Sequence, residues 1–163
     1  MNKKYMIDLK KSVKLLNIEA NKDILNKDRI DYLEAVLKDI YARKIATELL
    51  LKELSRPNWD IDCNIIRQCI KDGADVNATN KHKWTPLHLA CHDANSEVIK
   101  ILLNCDGIKI NAKDSNGHTP FWHFTTYDYP EITELLINAG ATKNGNKIRE
   151  VYEWGSNIIK NLF

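Results

Sequence analysis

The sequence predicts an all-α fold, a solenoid of helix–turn–helix repeats with an N-terminal helical extension. Three observations point there. The chain aligns with itself: Thr85-Pro86 recurs as Thr119-Pro120 and Glu97 as Glu131, both 34 residues on, and "DVNA" at 75–78 returns as "KINA" at 109–112. Several matches at one spacing mark a repeat far better than any single motif. Helix starts and stops recur with it, Thr-Pro opening a helix and Gly73, Gly107 and Gly140 closing the following ones. Apolar residues also fall three and four apart between these signals, as on one face of a helix. Helix pairs this short cannot bury an apolar face alone and must stack on copies of themselves.

Residues 1–42 form the extension. Met6, Leu9, Val13 and Leu16 make one apolar stripe, and Ile30, Leu33, Leu37, Ile40 and Tyr41 make a second, beginning after Asp28. An unbroken helix from 28 to 55 would be about 40 Å long, so a bend is expected near Ala42–Lys44. The extension needs a partner surface. The open end of the stack supplies one, and a separate functional module is the alternative.

The repeat domain spans 43–163. Its first unit, 43–79, is degenerate. Pro57 falls where a first helix would run and would break it, so "IATELLLKELS" (45–55) ends early and "RPNWDID" becomes a longer connector. Asp60 and Asp62 then read as acidic residues favoured by a helix N-terminus. In the second unit, 80–113, Thr85 caps the helix, Pro86 takes the first helical position, and His88 reaches back to the threonine as Glu does in a capping box. Ala90 admits a close neighbour, "DANSE" breaks the helix, and Ser96 is the expected cap of the next.

The third unit, 114–144, keeps Thr-Pro but carries Trp122 where the second has His88, and Phe124 where it has Ala90. This bulk either packs on an atypical cap or carves a groove. The last segment, 145–163, is read as cap helices, "KIREVYEW" and "SNIIKNLF", with Ser156 as a cap.

The T-P-L-H signature, the period and the "GADVNA" linker resemble the ankyrin repeat family over roughly residues 60–144. The resemblance implies antiparallel helix pairs with a β-turn finger projecting between repeats, and a non-enzymatic adaptor that grips another protein with its fingers and first-helix face. Carried over position by position, it nominates Lys81, His82 and Trp84 in the first finger. It nominates Ser115, Asn116 and His118 in the second, and His92, Asp93, Thr126, Tyr127 and Tyr129 near the helices. Trp84 is the expected hot spot; otherwise its indole lies over the neighbouring finger. Lys83 stands where the family has glycine, so a different turn is expected in the first finger. Lys81, His82 and Lys83 make that finger basic and favour an acidic or polar-aromatic partner surface. Asn77 and Asn111 occupy the linker asparagine that asparaginyl hydroxylases modify in some ankyrin proteins, although its usual task is to hold the finger turn. The Lys-, Ile- and Asn-rich composition suggests an AT-rich genome, and ankyrin proteins of intracellular microbes are often host-directed effectors.

Other classes find little support. A net charge of +2 argues for neither nucleic acid nor membrane from the total. Five lysines against one aspartate in residues 1–14 keep a tether to an acidic membrane or nucleic acid as the alternative function. No apolar run spans a bilayer, and no secretory signal is recognisable. The four cysteines lack metal or disulfide spacing, so buried free thiols in a reducing, cytoplasmic setting are expected (the host cytoplasm for a secreted effector). No phosphate loop or catalytic triad signature is present. His88 and His92 have zinc-ligand spacing, but with no third ligand in sight the reading is no metal, no cofactor and no small-molecule substrate, in a monomer.

Overall fold

The structure, a computed structural model, describes residues 27–123, 130–143 and 146–147. The described residues form six α-helices and one minimal pair of strands. Helix α1 runs Lys27–Glu53, followed by a 3-10 turn at Asn58–Asp60 and helix α2 at Cys63–Lys71. Helices α3 (Pro86–His92) and α4 (Ser96–Leu103) form one repeat, and α5 (Pro120–His123) and α6 (Pro130–Asn138) the next. Strands β1 (Thr142–Lys143) and β2 (Asn146–Lys147) pair antiparallel. First helices stack on first helices, α3 against α5, and second on second, α2 against α4.

The core is continuous across these layers. Leu50 of α1 and Leu54 just after it, Ile66 and Cys69 of α2, Leu87, Ala90 and Cys91 of α3, Val98, Ile99 and Leu102 of α4, Phe121 of α5 and Leu136 of α6 belong to one cluster. Each helix pair thus covers its neighbour's apolar face, the main source of stability in such arrays.

Helix α1 is unbroken through Ala42–Lys44, where the bend was expected, and through the 42/43 boundary. Its sequence holds no Gly or Pro, and the Asp39–Arg43 ion pair (3.0 Å) spans the expected kink at i,i+4 spacing. Its fully buried residues lie toward the C-terminal end, Ala46, Leu50 and Glu53, with Leu54 just beyond; Leu33, Val36, Leu37 and Tyr41 are half-buried, and Tyr32 and Ile40 are exposed. Glu53 links this end to the next helix, its carboxylate accepting from Asp62 N–H (2.9 Å) and from Arg56 (3.1 Å).

The connector after Pro57 is as expected, and it docks on the following repeat. Asn58 donates to the Asp93 carbonyl (3.2 Å) and accepts from Asn95. Asp62 caps α2 by accepting from Asn64 N–H (2.8 Å), whereas Asp60 pairs with Arg56.

Helix α3 has the expected capping box. Thr85 accepts from His88 N–H, and His88 Nδ1 accepts from Thr85 N–H (3.1 Å). The cap of α4 is Asn95, which accepts from Val98 N–H (3.0 Å); Ser96 is already inside the helix. The register is set one residue earlier, where Ala94 takes φ 50 and reverses the chain. Gly73, Gly107 and Gly140 all have positive φ, as helix stops require.

Asn77 and Asn111 each reach from one linker to the next. Asn77 donates to the Gly107 carbonyl (2.9 Å) and accepts from Lys109 N–H (2.8 Å), both in the next linker. Asn111 repeats this with Gly140 and Thr142 N–H (2.9 and 2.7 Å).

At the C-terminal side, Lys147 pairs in β2 where a helix was expected to begin. The rest of that expected helix, the "SNIIKNLF" helix with Ser156, Phe124 and the stripe at Met6–Leu16 lie outside the described residues.

Candidate partner-binding surface

Two fingers stand side by side, built on the same turn. In the first, the Asn80 side chain accepts from His82 and Trp84 N–H (2.9 and 3.1 Å), while Asn80 N–H donates to the Trp84 carbonyl. In the second, Asp114 accepts from Asn116 and His118 N–H (2.8 and 2.9 Å), and its own N–H donates to the His118 carbonyl. Ser115 N–H donates to the His82 carbonyl (3.1 Å) and ties one finger to the other.

This corrects the expectation of a different turn at Lys83. Lys83 takes φ 59 where Gly117 takes φ 81, so a β-carbon is held in a left-handed conformation that glycine adopts without cost. Lys83→Gly should therefore raise unfolding stability by up to about 1 kcal/mol, the relief being partly offset by the freer unfolded chain. Urea denaturation checks this, and a loss of stability would mean that the lysine side chain holds the finger.

Lys81, His82, Ser115 and Asn116 project from the tips and are exposed. Trp84 is half-buried and lies neither in open solvent nor flat over the next finger. Its ring packs at 5.2 Å from His92 and 4.6 Å from His123 of the next repeat. His92 is an exposed residue whose Nδ1 meets Asp93 at 2.8 Å. Thr126, Tyr127 and Tyr129 lie outside the described residues.

The third repeat exchanges the aromatic pair of the second: Trp84 and His88 become His118 and Trp122. Trp122 does not enter the contact between repeats. It turns outward and stacks on His118 at 3.6 Å, nearly parallel. Thr119, freed from the capping box, donates instead to the Thr142 carbonyl.

His88 and His92, the pair with zinc-ligand spacing, have separate tasks. His88 is fully buried, and its Nε2 reaches the His118 carbonyl (3.2 Å). Because Nδ1 accepts from a backbone N–H, Nε2 carries the proton and donates. Burial pushes this imidazole below its ordinary range and keeps it neutral.

A contact that sequence reasoning missed lies beneath the second finger. His123 Nε2 sits 3.0 Å from Asp114 Oδ2. Burial alone would raise the Asp114 carboxyl, but the N–H groups of His118 and Asn116 and the imidazole of His123 outweigh it and hold it down to about 2. The available signal was faint: relative to the previous repeat, Asn80 becomes Asp114 and Leu89 becomes His123.

The four cysteines are free, Cys69 and Cys91 buried and Cys63 and Cys105 half-buried. Among the described residues no helix is long and apolar enough to cross a membrane.

Paired helices stacked in register, with each finger tied to the next, define a repeat scaffold. The family model for ankyrin repeats in three copies matches residues 58–147, and the chain belongs to the ankyrin repeat family. Over 120 residues it is 29% identical to human protein phosphatase 1 regulatory subunit 27, covering 70% of this chain and 77% of that protein. It is 34% identical over 88 residues to human ankyrin repeat and SOCS box protein 3, covering 53% of this chain and 17% of that protein. It is also 29% identical over 119 residues to the Hydra vulgaris tyrosine-protein kinase HTK16, covering 68% of this chain but only 16% of the kinase. Ankyrin repeats imply binding to another protein, and the family is generally non-enzymatic.

Proposed function

We propose that this chain is an adaptor that grips a partner protein across its two fingers and the adjoining ends of α3 and α5. The observation that supports this most directly is the construction of the fingers. Their backbone hydrogen bonds are satisfied internally and from finger to finger, and the side chains at the tips are left pointing outward. A preformed rack of this kind loses little conformational freedom on binding. Lys81, His82 and Lys83 favour an acidic or polar-aromatic partner surface. Trp84, wedged between two imidazoles, offers one aromatic edge at the centre. An effector acting in a host cell is the narrower form of this reading and rests on composition.

The test is site-specific photo-crosslinking. A crosslinker at Lys81 or Ser115 should capture a protein that one at Lys100, on the second-helix face, does not. In folded chain, Trp84→Ala should then weaken that complex by about 2 kcal/mol or more. Equal capture from Lys100, or affinity unchanged in Trp84→Ala, would place the interface elsewhere.

A further inference from the structure

Asp114, His118 and His123 come together at the base of the second finger, and their ligand atoms all lie within 4.8 Å of one another. We infer that these three residues form a binding site for a divalent transition ion of the zinc class, with Asp114 Oδ2, His118 Nδ1 and His123 Nε2 as ligands.

The first support is geometric. His123 Nε2 and His118 Nδ1 stand 3.0 and 4.0 Å from the same carboxylate oxygen. Tetrahedral zinc with bonds of about 2.0–2.1 Å needs ligand atoms about 3.3 Å apart. Relative to Oδ2, His123 must back away and His118 close in by under about 1 Å each, and the three ligand atoms, all within 4.8 Å of one another, must draw together around the ion. The second support is the state of His118. Its Nδ1 is buried and has no hydrogen-bond partner among the described residues. An imidazole nitrogen left in this condition costs free energy, and a metal bond would remove that cost.

The third support is the way the ligands are held. Asp114 Oδ1 is occupied by two backbone N–H groups, which leaves Oδ2 as a single fixed donor. The His118 ring lies flat on Trp122 at an interplanar angle of 3°, and His123 packs edge-on to Trp122 and against Trp84. Such outer contacts orient metal ligands in known sites. Two nitrogens and one oxygen suit zinc, nickel or copper. Calcium and magnesium ask for more oxygens. Three protein ligands leave one tetrahedral position for water. Nothing of this arises in the second repeat, where the equivalent residues are Asn80, Trp84 and Leu89.

The full chain, stripped with a chelator, should bind one equivalent of zinc in a competition titration with a chromophoric chelator. Its melting temperature should rise with zinc and stay unchanged with magnesium. His118→Ala and His123→Ala, verified as helical by circular dichroism, should each weaken zinc binding by more than roughly 10-fold. Cys105→Ser should leave it unchanged. The wild-type chain loaded with cobalt gives a readout that does not depend on any variant folding. It should show visible bands of a four-coordinate nitrogen and oxygen site without a thiolate charge-transfer band. Absence of zinc binding by the wild type, binding unaffected by both histidine variants, or a thiolate band placing the ion on a cysteine would each overturn the assignment.

Discussion

His88→Ala should destabilise the fold by about 3 kcal/mol, as read by urea denaturation. The side chain is wholly buried and serves both ends of its repeat. Nδ1 accepts from Thr85 N–H at the start of α3, and Nε2 donates to the His118 carbonyl at the base of the next finger. Truncation strands Thr85 N–H, leaves the His118 carbonyl with Asp114 N–H alone, and opens a cavity. A stranded buried group costs about 1–3 kcal/mol, and the cavity, partly collapsed, adds to it. His92, one turn on, is the control. Its side chain is 56% exposed, so His92→Ala should stay within about 0.5 kcal/mol of wild type. If His88→Ala costs less than about 1 kcal/mol, the two-ended role assigned to this imidazole is wrong.

Phe121→Ala should cost about 4 kcal/mol, within the usual range for truncating a buried aromatic residue. Phe121 heads the largest fully buried side chains of the described residues and sits on α5. Its helix packs against α3 and β1. Because each repeat leans on its immediate neighbours, the damage should be local at first. Hydrogen exchange should show protection lost in α5, α6 and β1 before α2, and uniform loss along the chain would contradict a neighbour-by-neighbour stack.

The parts of this fold that were legible in the sequence are those fixed by local chemistry. Thr85-Pro86 announces a helix start because one residue supplies an acceptor and the other lacks the N–H that would go unpaired. Gly73, Gly107 and Gly140 announce stops because the chain must turn through positive φ. Pro57 announces an early end to α1. The misreadings arose where neighbouring residues compete or where distant ones meet. Asn95 and Ser96 are both good caps, and the turn through Ala94 decides between them. Lys83 is an improbable left-handed residue, but the hydrogen bonds of the Asn80 side chain hold the turn around it. The bend in α1 was inferred from length alone, and nothing in the residues near Ala42 enforces it. As for the candidate surface, its finger positions followed from the repeat register. The approach of Asp114 to His123 did not, since nine residues of turn and helix separate them.

The side-chain bridges from Asn77 and Asn111 bear on how the array responds to load. Apolar layers resist being pulled apart but care little about direction, so slippage parallel to them is cheap. Two hydrogen bonds at each linker pin that edge against slippage, like the spine of a book. The scaffold should therefore yield by fanning open opposite this spine rather than by gliding layer over layer, and its curvature should be softest where no amide crosses from one leaf to the next.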